Sequence, residues 1–525
     1  MHLPENDVFL TEVIGNGLTS VAEEMTLTVL RSARSPALRE AGDLSSALTD
    51  GEGNLIAQGK DLPIHLGVMA ASVKALIARI GKEALRPGDA WIVNLPQASG
   101  NHLPDVKVIR PVFHREAIVA FGISLAHWAD IGGGSPGSYN VAATDLWQEG
   151  LQIPPVRIMR QDAIVADVLA LIIANVRGAE ERQGDLFAQI AAVRIGERRI
   201  LEIIERFGAE VFCIAMRDML DLSERQIRGV IRSIPDGSYQ GEDHLDGTID
   251  SGPVRIAVDV TIRGEEAIFD FSRSDDALDA PVNTTPSVVA AGVDYFLKAI
   301  AGESIYQTGA TLWPVKIITR SGSLLDPARS EPVVAGNHET SNRVVDAILN
   351  ALSAVMPERL CAGGCGSAGL TIFSGRRLQG DWWTLYETHG GGNGANTEHR
   401  GDSATRVHLG NMMNTPAEFI EAEYPIQVMR SAVREGSGGA GRNRGGDGLI
   451  REYRVLVDEV RFTATFERRL TAPRGLAGGE AGLPFRVGLL RDGTRTDLPS
   501  LWHGLLKRDD VILVESAGGG GYGVA

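Results

Sequence analysis

Two histidines and an aspartate stand where a metal ion could be held: His102 and Asp105 in NHLPDVKVIRPVF, and His127 in SLAHWADIGGGSPG. Leu103 and Pro104 separate the first pair. Proline fixes its own φ and biases the preceding residue to extended backbone, so both side chains sit on a stiff, non-helical loop. The loop runs into Val- and Ile-rich chain, and 90–95 and 106–124 read as strand-forming. A reversal near His114-Arg115-Glu116 would make two antiparallel strands and return His127 to the side of His102. Neutral imidazole nitrogen and carboxylate oxygen suit zinc, manganese or iron, and a set with open positions is the catalytic kind. Asp43, just ahead of SSALTDGEGNLIAQG, is a further carboxylate that would complete the set, although spacing alone does not carry it there. Taken singly, each residue reads more readily as a cap or a solvated side chain; the group flanking one hairpin brings the ligand reading level with that one.

Other residues carry weaker chemistry. Asp130, three after His127, would either orient an imidazole or serve as a turn residue before Gly132-Gly133-Gly134. Trp128 reads as pocket wall or core. In YETHGGGNGANTEHRGDS, Glu387 and His389 precede three glycines, where amides can converge on an oxyanion or form a plain tight turn. In GNHETSNRVVD, Thr340 or Ser341 would cap a helix, with Asn337 and Glu339 near its N-terminus, an end able to receive an anion. The closing GGGGYG reads as a mobile tail or a packed turn. GNLIAQGKD is a poor phosphate loop: five residues part its glycines, and Asp follows the lysine where Ser or Thr should stand. If ATP is used, another chain binds it. No Gly-x-Ser-x-Gly elbow is present, and no cysteine has an evident neighbouring base, so a Ser or Cys nucleophile has little support.

The elements that must position these residues read as follows. Helical spacing runs over 7–34, with Gly15 and Gly17 as weak points, and again over 67–82. SSALTDGEGNLIAQG alternates about an Asp-Gly-Glu-Gly turn as a hairpin. Two long helices span 178–233, broken near Phe207-Gly208. After about residue 235 the period changes: VRIAVDVTI and EAIFDF within 238–272 are strands, helices return at 286–301 and 341–355, and beyond 380 Gly-rich loops alternate with short strands. The expected fold is α+β and multi-lobed, with an N-terminal α+β metal-binding lobe (1–235) and a β-rich C-terminal lobe (236–525).

Composition narrows the class. A chain of 525 residues, 43% hydrophobic and 22% charged, buries a core without disulfide staples. Cys213, Cys361 and Cys365 are too few for a disulfide framework, and CAGGC has no second pair to complete a structural zinc site. A net charge of −16 with no basic run argues against nucleic acid. MHLPENDVFLTEV is acidic where a signal peptide is basic, and no apolar run approaches the roughly 20 residues that span a bilayer. A soluble, cytoplasmic protein with no membrane partner is expected.

Many ordered motifs together resemble the hydantoinase B/oxoprolinase family over nearly the whole chain: GDLSSALTDGEGNLIAQGKDLPIHLGVM, NHLPDVKVIRPVF, AHWADIGGGSPGS, AGNHETSNRVVDAIL, YETHGGGNGA, NMMNTPAEFIEAEYPIQV, GSGGAGRNRGGDGLIREY and GGGGYG. The resemblance implies the metal-bearing component of an ATP-dependent hydrolase that opens cyclic amides, as in N-methylhydantoinases, lactamases and 5-oxoprolinases. It implies a separate hydantoinase A-type ATPase subunit of actin-like fold, which uses ATP and Mg, in a hetero-oligomer with two or more copies. It also implies one divalent ion, Zn or Mn, on an Asp, a His-x-x-Asp pair and a later His, which match Asp43, His102, Asp105 and His127, with Asp43 from the loosest motif. The chain departs from common family wording at NHLPD and at CAGGCGSAG, and the latter bears on substrate identity more than on metal. The family's other chemistry, carboxylation of acetone or acetophenone, is the alternative; the chain's shorter length than those subunits favours the hydrolase. A non-catalytic scaffold for the ATPase subunit is the alternative of another class.

Overall fold

SSALTDGEGNLIAQ folds as the expected hairpin of β1 (Leu44–Asp50) and β2 (Leu55–Gln58), its turn held by the Asp50 carboxylate, which accepts from the Glu52 and Asn54 amides. β3 (Ala90–Val93), β4 (Asp105–His114), β5 (Ala117–His127), β6 (Val156–Arg160) and β7 (Ala163–Ile164) extend it to a seven-stranded antiparallel sheet in the order β2-β1-β5-β4-β3-β6-β7. The chain is seen here as a computed structural model describing residues 8–302, 305–377 and 380–525. Arg115, at φ 56°, makes the reversal between β4 and β5. These two strands are almost continuously buried, Lys107 and Arg110 included, because both faces of the sheet are covered. The same burial fixes register, since a slip of one residue would turn every side chain to the opposite face.

Among the described residues six helices exceed ten residues: α1 (Val8–Ser32), α2 (Pro63–Ile80), α3 (Ala179–Phe207), α4 (Ala209–Arg232), α5 (Pro286–Ala301) and α6 (Thr340–Leu352). α1 packs on α3, and α3 lies across β4 and β5. Gly196 on α3 permits the close approach, since a Cβ there would sit 2.5 Å from the Met25 sulfur. Gly208, at φ 89°, breaks α3 from α4 where expected. α2 starts four residues before its expected first residue because Pro63 occupies the first turn, where a missing N–H costs nothing. By length and composition α2 alone among the described helices would suffice to cross a membrane. Here it packs on α5 and β1 and delivers His65 to the first sheet's end.

Beyond residue 235 come β8 (Gly237–Leu245), β9 (Val254–Arg263), β10 (Glu266–Asp270) and β11 (Val315–Ile318), one sheet in the order β11-β10-β9-β8. The chain closes in a four-stranded sheet containing Leu370–Arg376 and Trp382–Glu387, and a five-stranded sheet containing Ile426–Arg434 and Val511–Glu515. Helices segregated from mainly antiparallel sheets make an α+β architecture. The largest apolar cluster draws on both sides of residue 235, joining Val68, Leu76 and Phe121 to Ile256, Phe296 and Ile348.

The Gly-rich stretches are packed backbone. The Gly519 amide donates to the Gly446 carbonyl and the Gly439 amide to the Gly519 carbonyl, both at 2.8 Å. A Cβ on Gly519 would fall 1.9 Å from the Asn393 carbonyl oxygen. GGGGYG is therefore a packed turn, not a mobile tail.

Candidate metal centre

Three neighbouring strands bring the acids and one imidazole together. β5 lies between β1 and β4; Asp105 pairs across the ladder with His127, and Leu44 with Ala126. Asp43 at the entry to β1, Asp105 at the start of β4 and His127 at the end of β5 therefore meet at one end of the sheet. The His127 amide fixes this by donating to the Asp43 carbonyl at 3.0 Å. The Leu103-Pro104 turn swings His102 back over Asp105, and the Trp128 amide pins it by donating to the Pro104 carbonyl at 2.9 Å.

His102 Nε2 lies 3.0 Å from Asp105 Oδ1, and His127 Nδ1 lies 3.1 Å from the same oxygen and 3.8 Å from Asp43 Oδ2. Donor atoms of His102, Asp105 and His127 all fall within 4.8 Å of one another, and the residues are buried. Sequence reasoning missed His65. Its Nε2 stands 3.5 Å from Asp105 Oδ2 and 3.9 Å from Asp43 Oδ1, while its Nδ1 meets Ser45 Oγ at 2.9 Å. The DLPIHLGVM motif held the signal, with Pro63 marking the helix start that aims the imidazole.

The protons decide what this cluster can bind. His102 Nδ1 lies 2.8 Å from the Val334 carbonyl, which only accepts, so Nδ1 carries the hydrogen. Nε2 then faces the Asp105 carboxylate at 3.0 Å and the Asn337 side-chain nitrogen at 3.3 Å; a charged ring donates to the carboxylate, whereas in a neutral ring Nε2 is a lone pair open to the Asn337 N–H or to a cation. Burial, reinforced by the imidazoles of His102 and His65, pushes His127 down to about 4, so near neutral pH it is in its ligating form. Burial, then the charge of Asp105, raises Asp43 well above the usual carboxylate range. Burial works against Asp105 too, but His102, His65 and the hydrogen bonds of His102 and His127 outweigh it and hold that carboxyl well below its usual value. Two enclosed carboxylates among imidazoles form a donor set fitted to a divalent first-row ion.

The cavity in front of these residues measures about 30 Å³, room for an ion or a water rather than a ring. Tyr386 and His338 complete its walls, and Tyr139 packs beside Tyr386 with ring centroids 5.9 Å apart. Burial raises both tyrosines well above their usual value, so their hydroxyls keep their protons.

The weaker candidates lie elsewhere. Asp130 is the turn residue: its carboxylate accepts from the Gly132, Gly137 and Arg177 amides and pairs with the Arg177 guanidinium at 3.1 Å, and no imidazole is among these partners. Trp128 is core, donating to Gln189. Glu387 accepts from the Thr415 amide and the Tyr453 hydroxyl and lies 3.4 Å from Arg451. His389 Nε2 meets Thr371 Oγ1 at 2.9 Å, and neither Glu387 nor His389 lines the cavity. Thr340 and Ser341 do not cap α6; their hydroxyls donate to the Val282 and Asn337 carbonyls, and Glu339 holds the cap position without a side-chain cap bond. Glu149, which the sequence did not flag, accepts from the Val333 and Val334 amides at 2.9 Å and so fixes the carbonyl that orients His102.

Comparison with known proteins gives a consistent picture. The Hydantoinase B/oxoprolinase family model matches residues 7–525. An uncharacterised protein of Methanocaldococcus jannaschii is 34% identical over 98% of this chain and 91% of its own length. The B-type chain of a putative D-/L-hydantoinase from a Pseudomonas strain is 30% identical over 99% of this chain and 90% of its own. A 5-oxoprolinase of Dictyostelium discoideum is 31% identical over 99% of this chain, which spans only 40% of that protein. The crystal structure of an ATP-dependent caprolactamase from Pseudomonas jessenii superposes with a TM-score of 0.91 at 28% identity, covering 99% of this chain and 91% of that one. A nucleotide-free acetone carboxylase gives the same TM-score at 17% identity, covering 99% and 76%, a likeness of fold.

Proposed function

Because the chain belongs to the hydantoinase B/oxoprolinase family, we propose that it is the metal-bearing subunit of an ATP-dependent hydrolase of cyclic amides, holding one divalent ion on Asp43, His102, Asp105 and His127. The observation that carries this reading is the convergence of His102 Nε2, His127 Nδ1 and the Asp43 and Asp105 carboxylates at one end of the sheet, with the other nitrogen of His102 committed to Val334. Zinc and manganese are the ions the donor set suits best.

A planar amide resists water. A hydantoinase A-type partner subunit transfers the terminal phosphoryl of ATP, with Mg, to the ring oxygen and releases ADP. Water then adds to the ring carbon, the C–N bond breaks with nitrogen taking a proton, and the acyl phosphate left behind is hydrolysed to carboxylate and inorganic phosphate. A divalent ion bound at the cluster supplies acidified water and charge stabilisation near neutral pH. The protein's own residues prepare that step. His127 stays neutral, and the Tyr139 and Tyr386 hydroxyls remain protonated. The three cysteines are free thiols, which supports a reducing, cytoplasmic setting, and the B-type naming of the hydantoinase relative supports a hetero-oligomer with a partner subunit.

The fold alone does not separate this reading from ketone carboxylation, because a caprolactamase and an acetone carboxylase match it with equal TM-scores. The complex with its ATPase partner is therefore to be given ATP with hydantoins, lactams or 5-oxoproline, and in parallel ATP, labelled bicarbonate and acetone or acetophenone. Ring opening coupled to ADP release, absent in His102→Ala, is expected. Label fixed into a ketone without ring opening would replace the hydrolase with the carboxylase. A protein that lacks metal and both activities is the scaffold.

A further inference from the structure

Arg406 lines the small metal-facing cavity and also a neighbouring cavity of about 460 Å³ bounded by Cys361, Asn393, Asp402 and His408. Arg406 is half-buried, and the fully buried arginines named next are paired. Arg343 meets Asp346 at 2.9 Å, Arg182 meets Asp185 at 3.1 Å, and Arg468 meets both Asp243 and Asp346. Arg406 makes no salt bridge among the described residues. Its Nη1 donates to the Ala368 and His389 carbonyls at 3.0 and 3.2 Å, and its Nε is enclosed without a hydrogen-bond partner. The Glu339 carboxylate is its strongest charged neighbour but does not close an ion pair with it, and two carbonyl dipoles do not neutralise a guanidinium, which stays charged wherever it is placed.

On the wall away from the Asp43 and Asp105 carboxylates, other groups share its preference. His338 Nε2 is buried without a partner, while its Nδ1 is 3.1 Å from Glu339 Oε1. Ser341 and Asn342, in the first turn of the 13-residue helix α6, also line the wall, and a helix N-terminus carries positive potential. A forked cation, an open imidazole nitrogen and a helix start facing one space suit a tetrahedral oxyanion. The space beside the ligand cluster is too small for a ring, and Arg406 is the residue it shares with the larger cavity, which has room for one.

We propose that Arg406, assisted by His338, receives the phosphate oxygens of the activated substrate while the ring occupies the larger cavity. This inference rests on the hydrolase reading above. If Arg406 were only a clamp on the Ala368 and His389 carbonyls, its substitution would lower stability and leave anion binding alone.

The test is calorimetric titration of inorganic phosphate into the full chain, metal-free and zinc-loaded, for the wild type, Arg406→Gln and Arg406→Lys. Wild type is expected to bind phosphate at millimolar concentrations or below; Arg406→Gln is expected to weaken binding about tenfold or more with unchanged metal content, and Arg406→Lys to lie between. Equal binding by Arg406→Gln and wild type, or none by wild type up to roughly 10 mM, overturns the proposal. Should Arg406→Gln not fold, phenylglyoxal labelling of the wild type decides. Phosphate is expected to slow modification at Arg406, and indifference to phosphate overturns the proposal. Arg406-dependent phosphate binding by a chain that takes up no metal keeps this inference and sinks the metal reading; one metal per chain with phosphate indifferent to Arg406 does the reverse.

Discussion

His102 gives its Nδ1 hydrogen to the carbonyl of Val334 at 2.8 Å, and that single bond assigns the other nitrogen to the cluster. The carbonyl is held in turn by Glu149, far away in sequence, through the Val333 and Val334 amides. The proposed ligand set thus depends on chain from both sides of residue 235.

Glu149 links that support to pH. Burial raises its carboxyl from 4.5 to about 8, overcoming the two amides that favour the charged form. At pH 7 the folded chain holds a proton there that the unfolded chain has released. Stability from this group is therefore full below about pH 4.5 and is lost as pH rises through about 8. Glu149→Gln keeps an oxygen for both amides and is expected to flatten the decline of melting temperature between about pH 5 and pH 8, a difference of a few kcal/mol in all. Parallel melting curves for variant and wild type across that range would show that Glu149 is ionised in the folded state.

Asp43 is expected to trade stability for metal. Its carboxyl is disfavoured as an anion by burial and by Asp105. Asp43→Asn should melt a few degrees higher than wild type without metal, yet bind zinc about 100-fold more weakly. Zinc titration followed by calorimetry reads both. If the Asp43→Asn variant bound zinc as tightly as wild type, Asp43 would stand outside the ligand set.

The sequence showed the hairpin because two apolar runs flank a short polar reversal, and the hairpin in turn put His102, Asp105 and His127 together. Asp43 needed register: only with Leu44 opposite Ala126 does its carboxylate arrive, and register between strands distant in sequence is not a local property. His65 carried no periodic mark, sitting in the first turn of a helix whose apolar spacing became plain only after it. Tyr386, Glu149 and Arg406 act through tertiary contacts alone. The glycine stretches were ambiguous by composition, because an amide nest and a backbone-on-backbone turn require the same residues.

That packing makes a paired prediction. Gly519→Ala would drive a Cβ against the Asn393 carbonyl, contacting backbone that cannot move aside, and should cost at least about 4 kcal/mol or prevent folding. Gly436→Ala, at φ 83° in open space, should cost about 1 kcal/mol. Denaturant midpoints compare them, and equal losses would mean that the Gly-rich turns are not closely packed.

Metal in the purified protein is the most direct test of the ligand set. Elemental analysis of the wild type beside His102→Ala and His127→Ala, each confirmed folded by circular dichroism, is predicted to find one divalent ion per wild-type chain and essentially none in either variant. A wild type without stoichiometric metal after zinc or manganese loading, or variants that retain it in full, would contradict the assignment.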